Sequence, residues 1–206
     1  MKLYDGKTSP YVRKVLVAAQ ECGLEDRIER EEVLPWEPDT KFAEINPLGK
    51  IPALVTDAGR LIYDSRVIVE YLDAQHDGPK LIPDDLDGRM EAMRLNSLGD
   101  GMMEAMILVY SELVRRPENL RWTYWEDRMR GKVDTALDCL EQEVAGFDQT
   151  RFDLGQITNA CAVGWLEFRK HILNIDFRPG RPKLAAWFET VDARPSMRAT
   201  VPVAPA

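Results

Sequence analysis

The order of patterns along the chain predicts two domains, a small α/β unit over residues 1–78 and an all-α unit over 84–206. Three observations carry this. Strand-like and helical segments interleave only in the first 75 or so residues. The stretch Asp77–Asp85 then collects Gly, Pro and acidic residues, the composition of a domain border, which we place near Pro83. Beyond it, apolar residues recur only at helical spacing, with no alternating segment.

The elements follow in order. Lys2–Tyr4 reads as a strand, and Asp5–Thr8 as a polar loop leading to Ser9-Pro10, a favoured N-cap and first helical residue. A helix over 10–22 carries Val12, Val15, Leu16 and Ala19 as a buried stripe and meets a stop at Gly23. Arg27–Leu34 reads as a second strand, and 35–47, broken by Pro35, Pro38 and Pro47, as mostly irregular. Residues 51–55 and 61–63 flank Asp57-Ala58-Gly59-Arg60 as a hairpin, and Ser65 is expected to cap a helix bearing Val67, Ile68, Tyr71 and Leu72. The result is a small mixed sheet with helices. In the second unit, Leu86–Arg115 places Leu95, Leu98, Met102, Met106, Val109 and Leu113 on one stripe. Pro117 breaks it before another long helix ending at Val144. Asp153 with Gln156 has the form of a capping box opening a helix through Cys161, Trp165 and Phe168, and Pro182 opens a last helix through Phe188.

Composition bounds the function. With 206 residues, 45% hydrophobic and 30% charged, the chain has the make-up of a soluble globular protein. A net charge of −8, with no basic arm, is the wrong sign for holding nucleic acid. Cys22, Cys139 and Cys161 have unrelated spacings, so neither a disulfide framework nor a zinc site is expected, and a reducing compartment is. No apolar leader and no run of about 20 apolar residues occurs, so a cytoplasmic protein without membrane attachment is expected. His76 and His171 are too few and too far apart for a His triad or metal cage, and no metal is expected.

Ser9 is the residue that chemistry singles out. A hydroxyl at a helix N-terminus lies beside free N–H groups and the positive end of the helix dipole, a place that favours an anion such as a thiolate. A free thiol has a pKa of about 8.5, and bringing it to about 6.5–7.5 takes about 1.4–2.7 kcal/mol. One hydrogen bond to a charged acceptor supplies about 1.5–3 kcal/mol, and the dipole adds to it.

Four segments, Ser9-Pro10-Tyr11-Val12-Arg13-Lys14, Asn46-Pro47-Leu48-Gly49-Lys50-Ile51-Pro52, Tyr63-Asp64-Ser65 and Phe152–Gln156, together resemble the glutathione S-transferases, most closely their bacterial serine-type members. The resemblance covers essentially the whole chain. It implies a thioredoxin-like first domain, a helical-bundle second one, glutathione as co-substrate and a homodimer. Ser9 would hold the glutathione sulfur as thiolate for attack on a small hydrophobic electrophile. Ser9-Pro10-Tyr11-Val12 also resembles the Cys-Pro-Tyr-Cys of glutaredoxins with both sulfurs removed, which leaves no dithiol exchange here.

The resemblance further implies a cis Ile51–Pro52 bond that frees the Ile51 backbone to pair with the cysteinyl segment as an added strand. Lys50 would meet the glycine carboxylate, Ser65 the γ-glutamyl carboxylate, and Asp64 the ammonium. Asp64 departs from the Glu or Gln of most relatives, as Asp153-Gln156 departs from their Ser or Thr with Asp. Asp100 is expected to reach the ammonium of the neighbouring subunit's glutathione. Between the domains, Met103, Tyr110, Trp122 and Trp125 are expected to wall the electrophile pocket, with Met102 and Met106 in the core stripe. Two other readings stay open: a glutathione-dependent peroxidase or disulfide reductase, and a non-catalytic binding protein of the same fold.

Overall fold

A computed structural model describes residues 1–37 and 39–203. The elements are β1 (Lys2–Asp5), α1 (Pro10–Glu21), β2 (Glu29–Glu32), α2 (Phe42–Ile45), β3 (Ala53–Val55), β4 (Leu61–Ile62) and α3 (Ser65–Asp73), then α4 (Leu86–Val114), α5 (Thr123–Glu143), α6 (Leu154–Leu173), α7 (Pro182–Asp192) and α8 (Pro195–Ala199). This is the mixed sheet followed by helices that the patterns predict. The observed elements depart from the expected ones at their ends and in two short α-helices: α2, one turn inside the expected irregular stretch, and α8, which no pattern marked. Phe42 accounts for α2, because its buried ring meets Tyr4 edge-on at 5.6 Å.

The sheet order is β2-β1-β3-β4, with β1 parallel to β2 and antiparallel to β3, and β3 antiparallel to β4. The register is what assembles the site. Tyr4 pairs with Ala53 and Leu54 with Ile62, so the end of β1, the start of β3 and the end of β4 share one end of the sheet. Asp5 pairs with Glu32, which brings the chain leaving β2 to that same end. β2 is exposed at all four residues, each charged, as suits an edge strand.

α1 begins as expected, with the Ser9 Oγ accepting the Val12 N–H at 3.3 Å and Pro10 at the first helical position. Its stop is Gly23, at a φ of +66° that a side chain would resist. The buried surface is wider than the stripe. Arg13, Lys14, Val17 and Ala18 are buried as well, because α1 packs against α3 and also against α6 and α8. At α3 the cap differs from expectation. Asp64, not Ser65, is the N-cap, its carboxylate accepting the Arg66 N–H at 3.0 Å, and Ser65 is the first helical residue.

The capping box at α6 forms by half. Asp153 accepts the Gln156 N–H at 2.9 Å, but the Gln156 amide donates to the Asp148 carbonyl at 3.1 Å instead of returning to Asp153. α6 lies close along α4. A Cβ at Gly155 would stand 2.5 Å from the Leu95 Cβ, so only glycine admits this approach. The segment joining α3 to α4 is pinned from both sides: Asp73 accepts the N–H groups of Leu81 and Ile82, and the Leu81 carbonyl accepts the Leu154 N–H.

Candidate functional site

Three loops meet at the shared end of the sheet. The β1–α1 loop delivers Ser9, half-buried, whose Oγ accepts one backbone hydrogen bond and, among the described residues, donates none. A hydroxyl has two acceptor lone pairs and one proton, so capping α1 leaves that proton for another acceptor. The loop before β3 delivers Ile51-Pro52 with a cis peptide bond. The ladder starts only at Ala53, and among the described residues the Ile51 N–H and C=O make no hydrogen bond. The two loops meet at Gly6, where a Cβ would lie 2.6 Å from the Ile51 Cδ1 and move that side chain. Buried Asn46 holds the turn before Ile51, accepting the Leu48 N–H and donating to the Lys50 carbonyl at 2.6 Å. The Lys50 side chain is exposed, with no ion pair among the described residues.

The turn after β4 delivers Asp64 and Ser65. Asp64 is half exposed rather than buried, while Ser65 is 3% exposed at the start of α3. Burial pushes the Asp64 carboxyl upward, and the hydrogen bonds from the Arg66 guanidinium and backbone outweigh it, holding the group below its usual range. Arg66 also lies 4.0 Å from Asp100 of α4. Asp100 is engaged within its own chain: Oδ1 meets the Lys14 ammonium at 2.7 Å and Oδ2 accepts from the Asn96 amide at 3.1 Å. Lys14 is fully buried, donates also to the Asn96 Oδ1, and sits 5.9 Å from the Tyr11 ring centroid, whose hydroxyl donates to the Asp100 carbonyl. Asp64, Arg66, Asp100 and Lys14 thus form a charge-balanced cluster beside Ser65. Lys14 and Arg66 were missed because a lone cation in sequence reads as a solvated one.

The expected electrophile wall is rearranged. Met103 is fully buried in the helical core with Met102 and Met106 and faces no cleft. Trp122 and Trp125 stack on each other at 6.2 Å at the start of α5, with Trp122 and neighbouring Tyr124 exposed. Tyr110 is the expected residue with a link to the Ser9 loop. It packs edge-on against Trp165 at 6.1 Å, and the Trp165 indole N–H donates to the Thr8 carbonyl at 2.8 Å. The Arg169 guanidinium lies 4.9 Å and the Arg115 guanidinium 5.9 Å from the Tyr110 centroid, and Arg115 also covers Trp36 at 3.6 Å. Sequence patterns place Trp165 on the helix opened by Asp153 and give it no further role, and none singles out Trp36, Arg115 or Arg169.

Donor atoms of Cys22, Asp73 and His76 lie within 4.8 Å of one another, the spacing of a metal site. Their hydrogen bonds do not suit a metal. The His76 Nδ1 accepts the Gly78 N–H at 3.0 Å, which leaves the ring proton on Nε2, directed at Asp73 at 3.1 Å. Both Asp73 oxygens take backbone N–H groups, and burial pushes the Cys22 thiol up to about 12. The cluster closes the segment between α3 and α4.

A thioredoxin-like sheet with a hydroxyl at the start of α1, a cis-proline before β3 and a helical domain behind α1 define the glutathione S-transferase class of fold. Residues 8–75 match the family "Glutathione S-transferase, N-terminal domain" and residues 123–190 "Glutathione S-transferase, C-terminal domain". The Escherichia coli K12 "Uncharacterized GST-like protein YibF" is 35% identical over 98% of each chain. A glutathione transferase family member from Pseudomonas fluorescens Pf-5, solved with bound glutathione, is 43% identical with a TM-score of 0.92, covering 98% of this chain and 99% of its own. A glutathione S-transferase from Methylobacillus flagellatus KT, also with glutathione bound, is 35% identical with a TM-score of 0.87 over 98% and 99% of the two chains. The chain belongs to the glutathione S-transferase family.

Proposed function

We propose that this chain binds glutathione at the shared end of the sheet and transfers its sulfur to a small electrophile, with Ser9 holding the sulfur as thiolate. The observation that carries the reading is the Ser9 hydroxyl, which caps α1 as an acceptor and keeps its proton free at the positive end of that helix. The unpaired Ile51 N–H and C=O supply a strand-like edge for the cysteinyl backbone. Ser65 at the start of α3 suits the γ-glutamyl carboxylate, Asp64 and Asp100 suit the ammonium, and exposed Lys50 suits the glycine carboxylate. Glutathione bound to relatives at 43% and 35% identity supports the same ligand here.

Thiolate ultraviolet absorbance of the glutathione complex, followed against pH, tests this. The bound thiol should ionise below its free pKa of about 8.5, and Ser9→Ala should move the midpoint back up. Since a hydrogen bond to a charged group contributes about 1.5–3 kcal/mol, kcat/KM should fall roughly 10–150-fold. Ser9→Gly serves as the folding control, because glycine at an N-cap costs only a few tenths of a kcal/mol. A wild-type midpoint equal to that of free glutathione would overturn thiolate activation.

A further inference from the structure

Two guanidiniums from different helices converge on the Tyr110 ring, Arg115 from the C-terminal end of α4 and Arg169 from α6. Among the described residues neither is within ion-pair distance of a carboxylate, and the Arg169 Nε is buried without a hydrogen-bond partner. This chain is acidic, and Arg94, Arg178 and Arg181 each meet two carboxylates. Arg60, Arg121, Arg128 and Arg198 also lack an ion pair among the described residues, so what sets Arg115 and Arg169 apart is that both lie against one aromatic ring, with Arg115 exposed and Arg169 half-buried. Their neighbours are flat and aromatic: Trp36 under Arg115 at 3.6 Å, Phe168 under Arg169 at 4.4 Å, and Trp165 edge-on to Tyr110. Trp165 in turn is tied to the Thr8 carbonyl, one residue before Ser9.

We infer that the second substrate is an aromatic electrophile carrying a carboxylate, its ring beside Trp165 and Tyr110, its reacting carbon toward Ser9 and its carboxylate received by Arg115 and Arg169. This rests on the glutathione reading above. A guanidinium is planar, less strongly hydrated than an ammonium and matched to a carboxylate in a two-pronged pair, while its face stacks on aromatic rings. In the transfer to an aryl chloride, the C–S bond forms as the C–Cl bond breaks. Chloride leaves with the bonding pair, and the thiol proton passes to solvent when the thiolate forms. The carboxylate takes no part in bond making and acts through binding alone.

The test compares S-(4-carboxybenzyl)glutathione with S-benzylglutathione by titration calorimetry on the full chain, beside glutathione itself. Turnover of 4-chloro-3-nitrobenzoate against its methyl ester, each divided by its uncatalysed rate with glutathione because the para ester activates the ring more than a carboxylate, gives a second readout. The acid should be favoured about tenfold or more in both. The ratio should shrink with added salt and fall toward one in Arg169→Gln and Arg115→Gln. Equal binding of the two conjugates to the wild-type chain, with glutathione bound normally, would overturn this inference and leave the glutathione reading standing. Failure to bind glutathione or either conjugate would overturn both.

Discussion

Ser9 and the three cysteines divide the sulfur chemistry of this protein between a ligand and inert side chains. Burial pushes the Cys22 thiol up to about 12 and the Cys161 thiol up to about 11, so both stay protonated at any physiological pH. Cys139 on α5 is half-buried, with a thiol raised by burial and by donation to Glu143. A disulfide reagent applied to the native chain at pH 8 should therefore modify one thiol, Cys139, ahead of the other two, and all three after denaturation. Three equally fast thiols in the native chain would contradict the burial of Cys22 and Cys161. Asp64 also acts at this scale. Its short side chain folds back on the Arg66 N–H as a helix cap.

α1 is the element on which the site turns, because it is buried on opposite sides. One side carries the apolar stripe toward the sheet and α3, and the other presents Arg13 and Lys14 to the helical domain. Arg13 donates to the Met197 carbonyl at 2.9 Å, and Lys14 meets Asp100 at 2.7 Å. Burial lowers the Lys14 pKa, with Asp100 working against it. The unfolded chain then keeps a proton that the native chain has shed between that lowered pKa and the ordinary value of 10.5. Lys14 therefore makes stability rise with pH across that window. Urea unfolding of wild type and Lys14→Met from neutral pH to about 10.5 should show the difference moving in favour of wild type as pH rises; a pH-independent difference would mean that Lys14 stays charged in the fold. Asp100→Asn at neutral pH should cost about 3 kcal/mol, since it leaves a buried ammonium without its counter-charge.

One large buried cluster spans both units, with a small second one of Tyr4, Phe42 and Ala53 in the first. Leu3, Val15, Leu54 and Ile68 of the first unit belong to the same buried cluster as Met106, Val109, Leu137 and Leu166 of the second. Polar ties reinforce it: Trp165 to the Thr8 carbonyl, Arg194 to Glu21 at 2.6 Å, and Lys14 to Asp100. A shared core of this kind favours a single cooperative unfolding transition over two separate ones. Native-state hydrogen exchange should accordingly give the β1 and α6 amides the same opening free energy. A lower value for β1 would show that the first unit opens alone. Among the described residues no helix is long and apolar enough to cross a membrane.

The strands, the long helices and their order were legible in sequence because they depend on local periodicity and on caps such as Ser9-Pro10 and Asp153, which act within a few residues. The resemblance of four short segments supplied Ser9, Ile51, Asp64 and Ser65 as candidates, and sheet register brings their loops to one end. Burial against a distant partner is not written in local spacing. Met103 was expected at a pocket wall, yet helix packing closes over it, and the burial of Arg13 and Lys14 by α6, α8 and α4 is likewise set by distant residues. Asp64 took the cap from Ser65 through the hydrogen bond that the turn after β4 allows. Trp36, the end of α4 with Tyr110 and Arg115, and α6 with Trp165 and Arg169 are three separate stretches of chain, so their convergence, and the tie from Trp165 to the Thr8 carbonyl, was decided only by tertiary packing, where long-range contacts set each distance.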